Sequence, residues 1–179
     1  MTVTTTNLIQ GPATLYQAPF GSAEPLTVAA VPTVPWVDLG GTQGGVELMT
    51  TDTYSVFDVD QIIYEIERRR VKRVVHIKTI LAEATLLNLA IALNNTAPTA
   101  GVFTPDDGLV AFNPPYGACI LDGIAPGGFR RRLILRKVLS TDVVGVAYKK
   151  DNQTLVPVTF TAHWISASIR PYVVTDATS

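Results

Sequence analysis

The chain has 179 residues, of which 47% are hydrophobic and 16% charged, and its formal net charge is -1. This length suits one domain with a single core, and the near-neutral charge argues against a protein that coats duplex DNA. Because few charged residues are available to cover a monomer, we expect some apolar surface to contact a partner. The single cysteine, Cys119, excludes an internal disulfide and a thiolate zinc cluster.

Neither a membrane span nor a secretory signal is predicted from the sequence. The longest apolar-leaning stretch, from Ile80 to Leu93, is interrupted by Glu83, Thr85 and Asn88. It is also shorter than the roughly 18 residues that a span requires. The first residues lack a basic cluster followed by an apolar core. We therefore expect synthesis in the cytosol and no membrane insertion.

The N-terminal part predicts short strands around a proline-rich segment. A first strand is expected at 13–17, and the prolines that follow disfavour regular structure in an arm or loop at about 18–35. The glycines of 40–45 predict a tight turn before a strand at 46–51. Residues 50–60 alternate strand formers with polar residues, which predicts an exposed hairpin or a long loop.

A strand and a helix are predicted next. Alternation predicts the strand at 70–82, with Val71 and every second residue after it on the more buried face. Thr85 can cap a helix at about 84–94, in which leucines and alanines recur at helical spacing. The residues expected to pack this helix on the sheet are Leu86, Leu89, Ala90 and Leu93.

The C-terminal part predicts further strands between turns. Strands are expected at 118–121, 131–139, 143–148 and 154–164, followed by an extended, exposed tail at about 172–179. On the last strand, alternation places Thr159, Thr161 and His163 on the less apolar face.

Catalytic and metal-binding patterns are weak in this chain. His76 and His163 have no carboxylate at ligand spacing, and Asp58 and Asp60 lack the additional oxygen ligands that a cation needs. There is no nucleophile elbow, and the glycine-rich run lacks the Gly-Lys-[Ser/Thr] ending of a phosphate loop. We therefore expect a non-enzymatic protein that uses no cofactor and no metal.

Two arginine-rich runs, Glu67 to Arg73 and Arg130 to Arg132, are candidates for a nucleic-acid patch. Aromatic residues do not interleave the first run as they do in single-strand stacking platforms. This favours salt bridges between subunits or a solvated entry to the strand. A nucleic-acid-binding β-barrel module that uses 68–73 is the alternative function, and a small hydrolase with an unrecognised site is a third.

Several motifs, in a fixed order, resemble the major tail tube proteins of long-tailed (siphovirus-type) bacteriophages. They are the Trp-x-x-Leu-Gly opening at Trp36, Gly44-Gly45-Val46, Val59-Asp60-Gln61, Glu83-x-Thr85-Leu86-x-Asn88-Leu89-x-x-Ala92-Leu93, the turn at Ala147 to Asp151 and the strand from Val156 to Phe160. Leu87 stands where the family often has an acidic residue, and the basic run at 68–73 is heavier than the family pattern. These departures concern the charge of the channel and interface.

The resemblance implies one domain over 1–179, a β-sandwich-like or barrel-like subunit with one flanking α-helix. Subunits would form hexameric rings, and stacked rings would make a hollow β-barrel tube that conducts the genome during ejection. Edges exposed in one subunit would be paired by its neighbours. The resemblance also implies a place in the virion tail, transient contact with DNA in the channel, and partners such as the tape measure, tail terminator and distal tail proteins.

Specific residues follow from this expected arrangement. A loop at about 49–61 would reach the adjacent ring, with contacts from Tyr54, Phe57, Val59, Asp60 and Gln61. The residues expected to face the channel are Thr159, Thr161 and His163. A related tube protein of a contractile injection system, or a ring-forming tail-completion protein, also fits these motifs.

Overall fold

The computed structural model describes residues 3–106 and 112–177, and within these ranges the protein is mainly β. This confirms the predicted fold class at that level. The elements are β1 (Thr14–Pro19), β2 (Val37–Asp38), β3 (Thr42–Phe57), β4 (Glu67–Leu81), α1 (Leu86–Ala92), β5 (Gly117–Ile124), β6 (Arg130–Ser140), β7 (Val156–Ala162) and β8 (Tyr172–Asp176).

The strands belong to one antiparallel sheet in the order β2-β1-β5-β6-β7-β4-β3. The sheet forks at β6, because β5 pairs with one edge of this strand while two other strands pair with different parts of its other edge. β8 pairs with Arg131 to Leu135, and β7 pairs with Val138 to Ser140. β7 and β8 therefore follow one another along the same side of β6.

The main core joins both halves of the sheet. Leu15 from β1 and Leu135 from β6 are fully buried in one cluster with Ile77 from β4 and Phe160 from β7. β4 and β7 bury alternate residues, as the pleat requires. β6 buries residues 132–135 consecutively, with Leu133 and Leu135 in this cluster and Ile134 in a second one. The sheet must curl to bring such distant strands into one cluster.

A second, smaller cluster forms around Trp36. It contains Ala118 of β5 and Ile134 of β6, and the Trp36 indole N–H donates a hydrogen bond of 2.8 Å to the Ala23 carbonyl. Residues 20–36, all of which are described, contain neither a helix nor a strand. This proline-rich segment is therefore tied to the sheet by side chains and turns.

The predicted packing face of the helix is wrong in part. Ala90 is buried and Leu89 half-buried, but Leu86 and Leu93 are exposed in the protomer. Asn88 is buried instead, because its amide donates to the carbonyls of Leu39 and Glu83 at 3.0 and 2.8 Å. This pair of bonds turns the helix so that Asn88 rather than the leucine stripe faces inward. Thr85 caps the helix as predicted, because its hydroxyl oxygen accepts a hydrogen bond from the backbone N–H of Asn88.

Two predictions for the C-terminal part are also wrong. Residues 143–148 form no strand, although Val144 and Val146 pack against the core. Their apolar character therefore reflects burial without backbone pairing. Residues 172–176, predicted as part of an exposed tail, form β8 because one side of β6 lies open there. Residues 178–179 of that predicted tail lie outside the described ranges.

The glycine-rich run serves a strand rather than a tight turn. Gly44 and Gly45 have φ of 79° and 87° and lie within β3. The pairing of β3 with β4 shifts between Gln43 and Val46, which identifies a β-bulge. Thr79 donates its hydroxyl hydrogen bond to the Gly45 carbonyl at 2.9 Å. Glycine is suited to these two positions because other residues rarely adopt positive φ.

Candidate assembly surfaces

The outer part of the β3–β4 hairpin extends beyond the point where β7 stops pairing with β4. β3 and β4 pair from Thr42 and Leu81 to Phe57 and Glu67, but β7 pairs with β4 only over His76 to Leu81. We call residues 50–75 the ribbon, and residues 58–66, which join its strands, the ribbon tip. At about 3.3 Å per residue, the nine β4 residues before His76 extend about 30 Å.

Apart from Val75, which is 4% exposed and belongs to the main core, the ribbon is largely exposed on both faces yet carries many apolar side chains. Ile63 is 100% exposed and Tyr64 is 83% exposed, and both lie at the ribbon tip. Other exposed apolar residues of this segment are Tyr54, Val56, Phe57, Val59, Ile62, Ile66 and Val71. An exposed apolar surface of this kind is typical of a protein interaction site.

The residues predicted to contact an adjacent ring all lie in this segment. Tyr54 and Phe57 belong to β3, so they occupy a strand rather than a loop, while Val59, Asp60 and Gln61 belong to the ribbon tip. All five are exposed in the protomer. The prediction ended at Gln61 and did not include Ile62, Ile63 and Tyr64, which are exposed beside it. The signal for them was the apolar run directly after Gln61, which lay beyond the motif.

Ion pairs cross the ribbon and occupy part of the predicted basic patch. The Arg73 guanidinium donates two hydrogen bonds of 2.7 Å to the Asp52 carboxylate, and Arg70 approaches the same group at 3.5 Å. Hydrogen bonding from Arg73 lowers the pKa of Asp52 to about 2. Arg68 pairs with Glu65, and Arg69 lies over the Phe57 ring at 5.3 Å. These contacts join the two ribbon strands and disfavour a patch reserved for phosphate.

The second arginine run holds the proline-rich segment. Arg132 is only 2% exposed and donates two hydrogen bonds of 2.6 Å to Asp122. Its guanidinium also donates to the carbonyls of Thr27 and Ala30 at 3.0 and 2.8 Å. Arg131 is paired with Asp176 on β8 at 2.6 Å. The run therefore acts inside the protomer.

The outer edge of β3 is a second candidate surface. β3 is an edge strand of 16 residues, whereas β2 at the opposite edge has only two. The outer backbone groups of β3 have no strand partner among the described residues. A long open edge is a template for pairing with another chain.

Two of the predicted channel residues share one polar sheet face. In the pairing of β7 with β4, Thr159 lies beside Lys78 and Thr161 lies beside His76. Both threonines are on the face of β7 that does not point into the core. Thr159 donates to Asp142 at 3.1 Å. Hydroxyl, ammonium and carboxylate groups thus surround Thr159 on this face.

His163 is placed differently from these threonines. It follows the end of β7 and is half-buried, with its ring edge-on to Tyr116 at a centroid distance of 5.5 Å. Burial, together with the charge of Lys137, lowers the pKa of His163. The structure therefore separates His163 from the open polar face in this protomer.

Elsewhere in the described residues, the side chains that could bind a metal or act as a nucleophile are dispersed or buried. Within 3–106 and 112–177, no three His, Cys, Asp or Glu residues come together as metal ligands. Burial raises the pKa of the Cys119 thiol, which is completely enclosed in the core. In the same ranges, no helix is long and apolar enough to cross a bilayer.

The sequence of this chain was compared with protein-family models and with curated proteins. No protein-family model matches it, and no curated protein matches it.

Proposed function

We propose that this protein is a structural subunit that assembles with copies of itself, as the tail tube resemblance implies. The observation that supports this proposal best is the ribbon, which exposes apolar side chains on both faces far from its own core. Keeping such a surface in water is unfavourable, and contact with another copy would remove it from water. Self-assembly therefore gives the ribbon a role.

The proposed assembly is a hexameric ring, with rings stacked into a hollow tube. The long open edge of β3 supports lateral pairing, because a neighbouring strand would satisfy its outer backbone groups. The ribbon, which extends along the strand direction, would reach the adjacent ring. In this proposal the tube belongs to a phage tail and conducts the genome during ejection.

The polar sheet face would line the channel in this arrangement. Thr159 and Thr161 lie there with Lys78 and His76, a mixed set of hydroxyl and basic groups. Such a lining would contact passing DNA briefly, whereas a dense cationic surface would hold its phosphates. The tape measure, terminator and distal tail proteins are the proposed partners at the two ends and in the lumen.

The test is the state of the purified protein across a concentration series. Negative-stain microscopy and light scattering after gel filtration should show rings or tubes whose amount grows with concentration. Dispersed single protomers at every concentration would refute the proposal. If those protomers also bound an oligonucleotide in a salt-sensitive way, the nucleic-acid-binding module would replace it.

A further inference from the structure

A cleft of about 640 Å³ lies between the base of the ribbon and β8. We call it the β4–β8 cleft. One wall comes from β4, the opposite wall comes from β8, and the segment between β7 and β8 closes one side. The lining residues include Arg70, Arg73, Trp164, Arg170, Tyr172 and Val174.

The cleft exists because β8 follows β7 along β6 without pairing with β4. β7 lies between β6 and β4 and pairs with both. β8 pairs with β6 alone. Most Cα atoms of β8 lie more than 8 Å from every Cα atom of β4, whereas directly paired strands are about 4.8 Å apart. An unpaired edge of β4 and an unpaired edge of β8 therefore border the same space.

On β8, the backbone groups of Tyr172 and Val174 point towards the cleft. The Pro171 carbonyl accepts a hydrogen bond from the backbone of β6, and the Ala177 N–H donates one to it. Successive residues of an antiparallel strand direct their N–H and carbonyl groups to opposite edges. Residues 172 and 174 therefore direct these groups away from β6, to the edge that has no strand partner among the described residues.

On β4, the same rule applies to Arg73. The Ala82 N–H donates to the Gly41 carbonyl on the β3 side, and β4 has no extra residue between positions 73 and 82. Because an odd number of positions separates Arg73 from Ala82, the Arg73 backbone groups face the edge opposite β3. β7 pairs with this edge only over His76 to Leu81. Both sides of the cleft thus offer backbone donors and acceptors.

The cleft carries an excess of positive charge. Arg70, Arg73 and Arg170 line it, and no carboxylate lines it among the described residues. Asp52 accepts two hydrogen bonds of 2.7 Å from Arg73 and lies 3.5 Å from Arg70. Arg170 is exposed and forms no ion pair in the described part of the chain. Three guanidinium groups are therefore opposed by the single charge of Asp52.

Other charged groups around the cleft do not cancel this excess. Asp176 and Glu24 are each bonded to an arginine that lies outside the cleft. Glu67 and Lys72 of β4 carry opposite charges, and neither of them lines the cleft. A ligand with carboxylate groups is therefore the one that this charge favours.

Aromatic side chains add apolar surface to the walls. Trp164 is 70% exposed and Tyr172 is half-buried. A tryptophan exposes a large apolar ring, and contact with a ligand would remove part of that ring from water. The walls thus combine arginines for carboxylates with aromatic rings for the aliphatic parts of a ligand.

We propose that the β4–β8 cleft binds an extended acidic segment of a partner protein as an additional β-strand. Backbone groups at positions 73, 172 and 174 would pair with the backbone of this segment, and Arg70 and Arg170 would bind its carboxylates. A polypeptide is favoured over a nucleic acid because its backbone alone can continue both strand ladders. This site is additional to the proposed self-assembly, which uses the outer edge of β3 and the exposed side chains of the ribbon.

Short synthetic peptides test this site in protein kept dispersed below its assembly concentration. The probe is a fluorescein-labelled nine-residue peptide of alternating threonine and glutamate, and fluorescence anisotropy should show saturable binding. A peptide with lysine in place of glutamate should not bind. The acidic peptide methylated on every backbone nitrogen should bind at least about tenfold more weakly, because it has no backbone donors. Equal binding of the methylated peptide, or no binding of the acidic one, would overturn the proposal and leave self-assembly intact.

Hydrogen exchange measured by NMR locates the bound peptide. The amides of Arg73, Tyr172 and Val174 should exchange more slowly in the presence of the acidic peptide, because they point into the cleft. The amide of Val173 points to β6 and should change little. Protection along the outer edge of β3 instead would place the peptide at the other long open edge of the sheet and contradict binding in the cleft.

A matched pair of charge variants tests the role of the arginines. Arg170→Gln should weaken binding of the acidic peptide about fivefold, as expected for a solvent-accessible ion pair. Lys149→Gln removes an equal charge at the other end of β4, beside Ile80 and Pro157, and should change the affinity less than about twofold. Circular dichroism should show both variants folded. Equal effects of the two substitutions would contradict carboxylate binding in the cleft.

Two further outcomes would assign the cleft to a different occupant and refute the proposal. Both variants should assemble at the same protein concentration as the unmodified chain, and loss of assembly in Arg170→Gln alone would assign the cleft to a second copy. A thymidine oligonucleotide should leave the amide of Arg73 unprotected. Displacement of the acidic peptide by this oligonucleotide, with protection of the same amides, would assign the cleft to nucleic acid.

Discussion

The inner and outer parts of the β3–β4 hairpin have the same backbone pairing but opposite surroundings. On β4, Ile77 is completely buried where the strand pairs with β7, whereas Val71, at a β-bulge in the ribbon, is 62% exposed. Hydrogen bonds between strands are therefore insufficient to define a core. The inner half gains stability from apolar burial within the protomer, and the outer half leaves its apolar side chains available for another molecule.

The largest expected difference concerns two arginines that pair with aspartates in the same bidentate way. Arg132→Met in the body should lower the free energy of unfolding by about 3–5 kcal/mol, because it leaves Asp122 buried without its partner. Arg73→Met in the ribbon should cost much less, since the Arg73 side chain is 40% exposed and solvent weakens its pairing with Asp52. Urea denaturation of dispersed protein measures both values. Similar losses would show that the ribbon is as much a part of the folding unit as the body.

Truncation of apolar side chains in the two parts of β4 should show the same contrast. Ile77→Ala should lower the free energy of unfolding by about 2–5 kcal/mol through the cavity it creates. Val71→Ala should change it by no more than about 0.5 kcal/mol, as for exposed positions in general. Thermal and urea unfolding provide the measurements. A large loss at position 71 in dispersed protein would mean that the ribbon folds back onto the body in solution.

The pH dependence of the ribbon should follow Asp52. Its pKa is about 2 in the folded chain, below the ordinary value of about 3.9. The folded-state pKa is depressed, so the contribution of this pair is present above about pH 4 and is lost as the pH falls towards 2. Carboxyl carbon NMR should give a midpoint near 2, which Arg73→Met should raise. Arg131→Met, which removes the partner of Asp176, should leave the Asp52 titration unchanged.

The smallest expected effect belongs to His163 in the body. Burial and Lys137 lower its pKa, so the unfolded chain binds its proton at higher pH than the folded chain does. Stability should therefore fall modestly as the pH drops through the ordinary histidine range near 6.5. His163→Gln should remove that part of the pH dependence in urea titrations. Retention of the full dependence in this variant would assign it to another group.

Alternating apolar residues made much of the body predictable. β7 was found from this pattern because it buries every second residue in the common core, and β6 was found because Leu133 and Leu135 alternate in the same core. The same pattern misled at 143–148, where Val144 and Val146 pack on the core without a strand partner. β8 was missed because its partner, β6, is distant in sequence.

The ribbon was harder to predict because neither of its faces is buried before Val75, where it joins the main core. Residues 50–60 alternate without a consistent apolar side, so hairpin and loop were both left open. The structure supplies the missing information through the pairing of Tyr54 with Arg70 and Phe57 with Glu67. The orientation of α1 depended on two hydrogen bonds from Asn88, which helical spacing of leucines does not reveal.

The point where β7 ends has a mechanical consequence. From His76 to Leu81, β4 is bonded to strands on both sides. Over residues 67–75, β3 is its only strand partner among the described residues. The ribbon is therefore held at one end only, where Met49 pairs with His76. A sideways force on Ile63 bends the ribbon most strongly at this pair. In the proposed tube, bending would therefore be taken up at this pair, while the body of each copy keeps its shape.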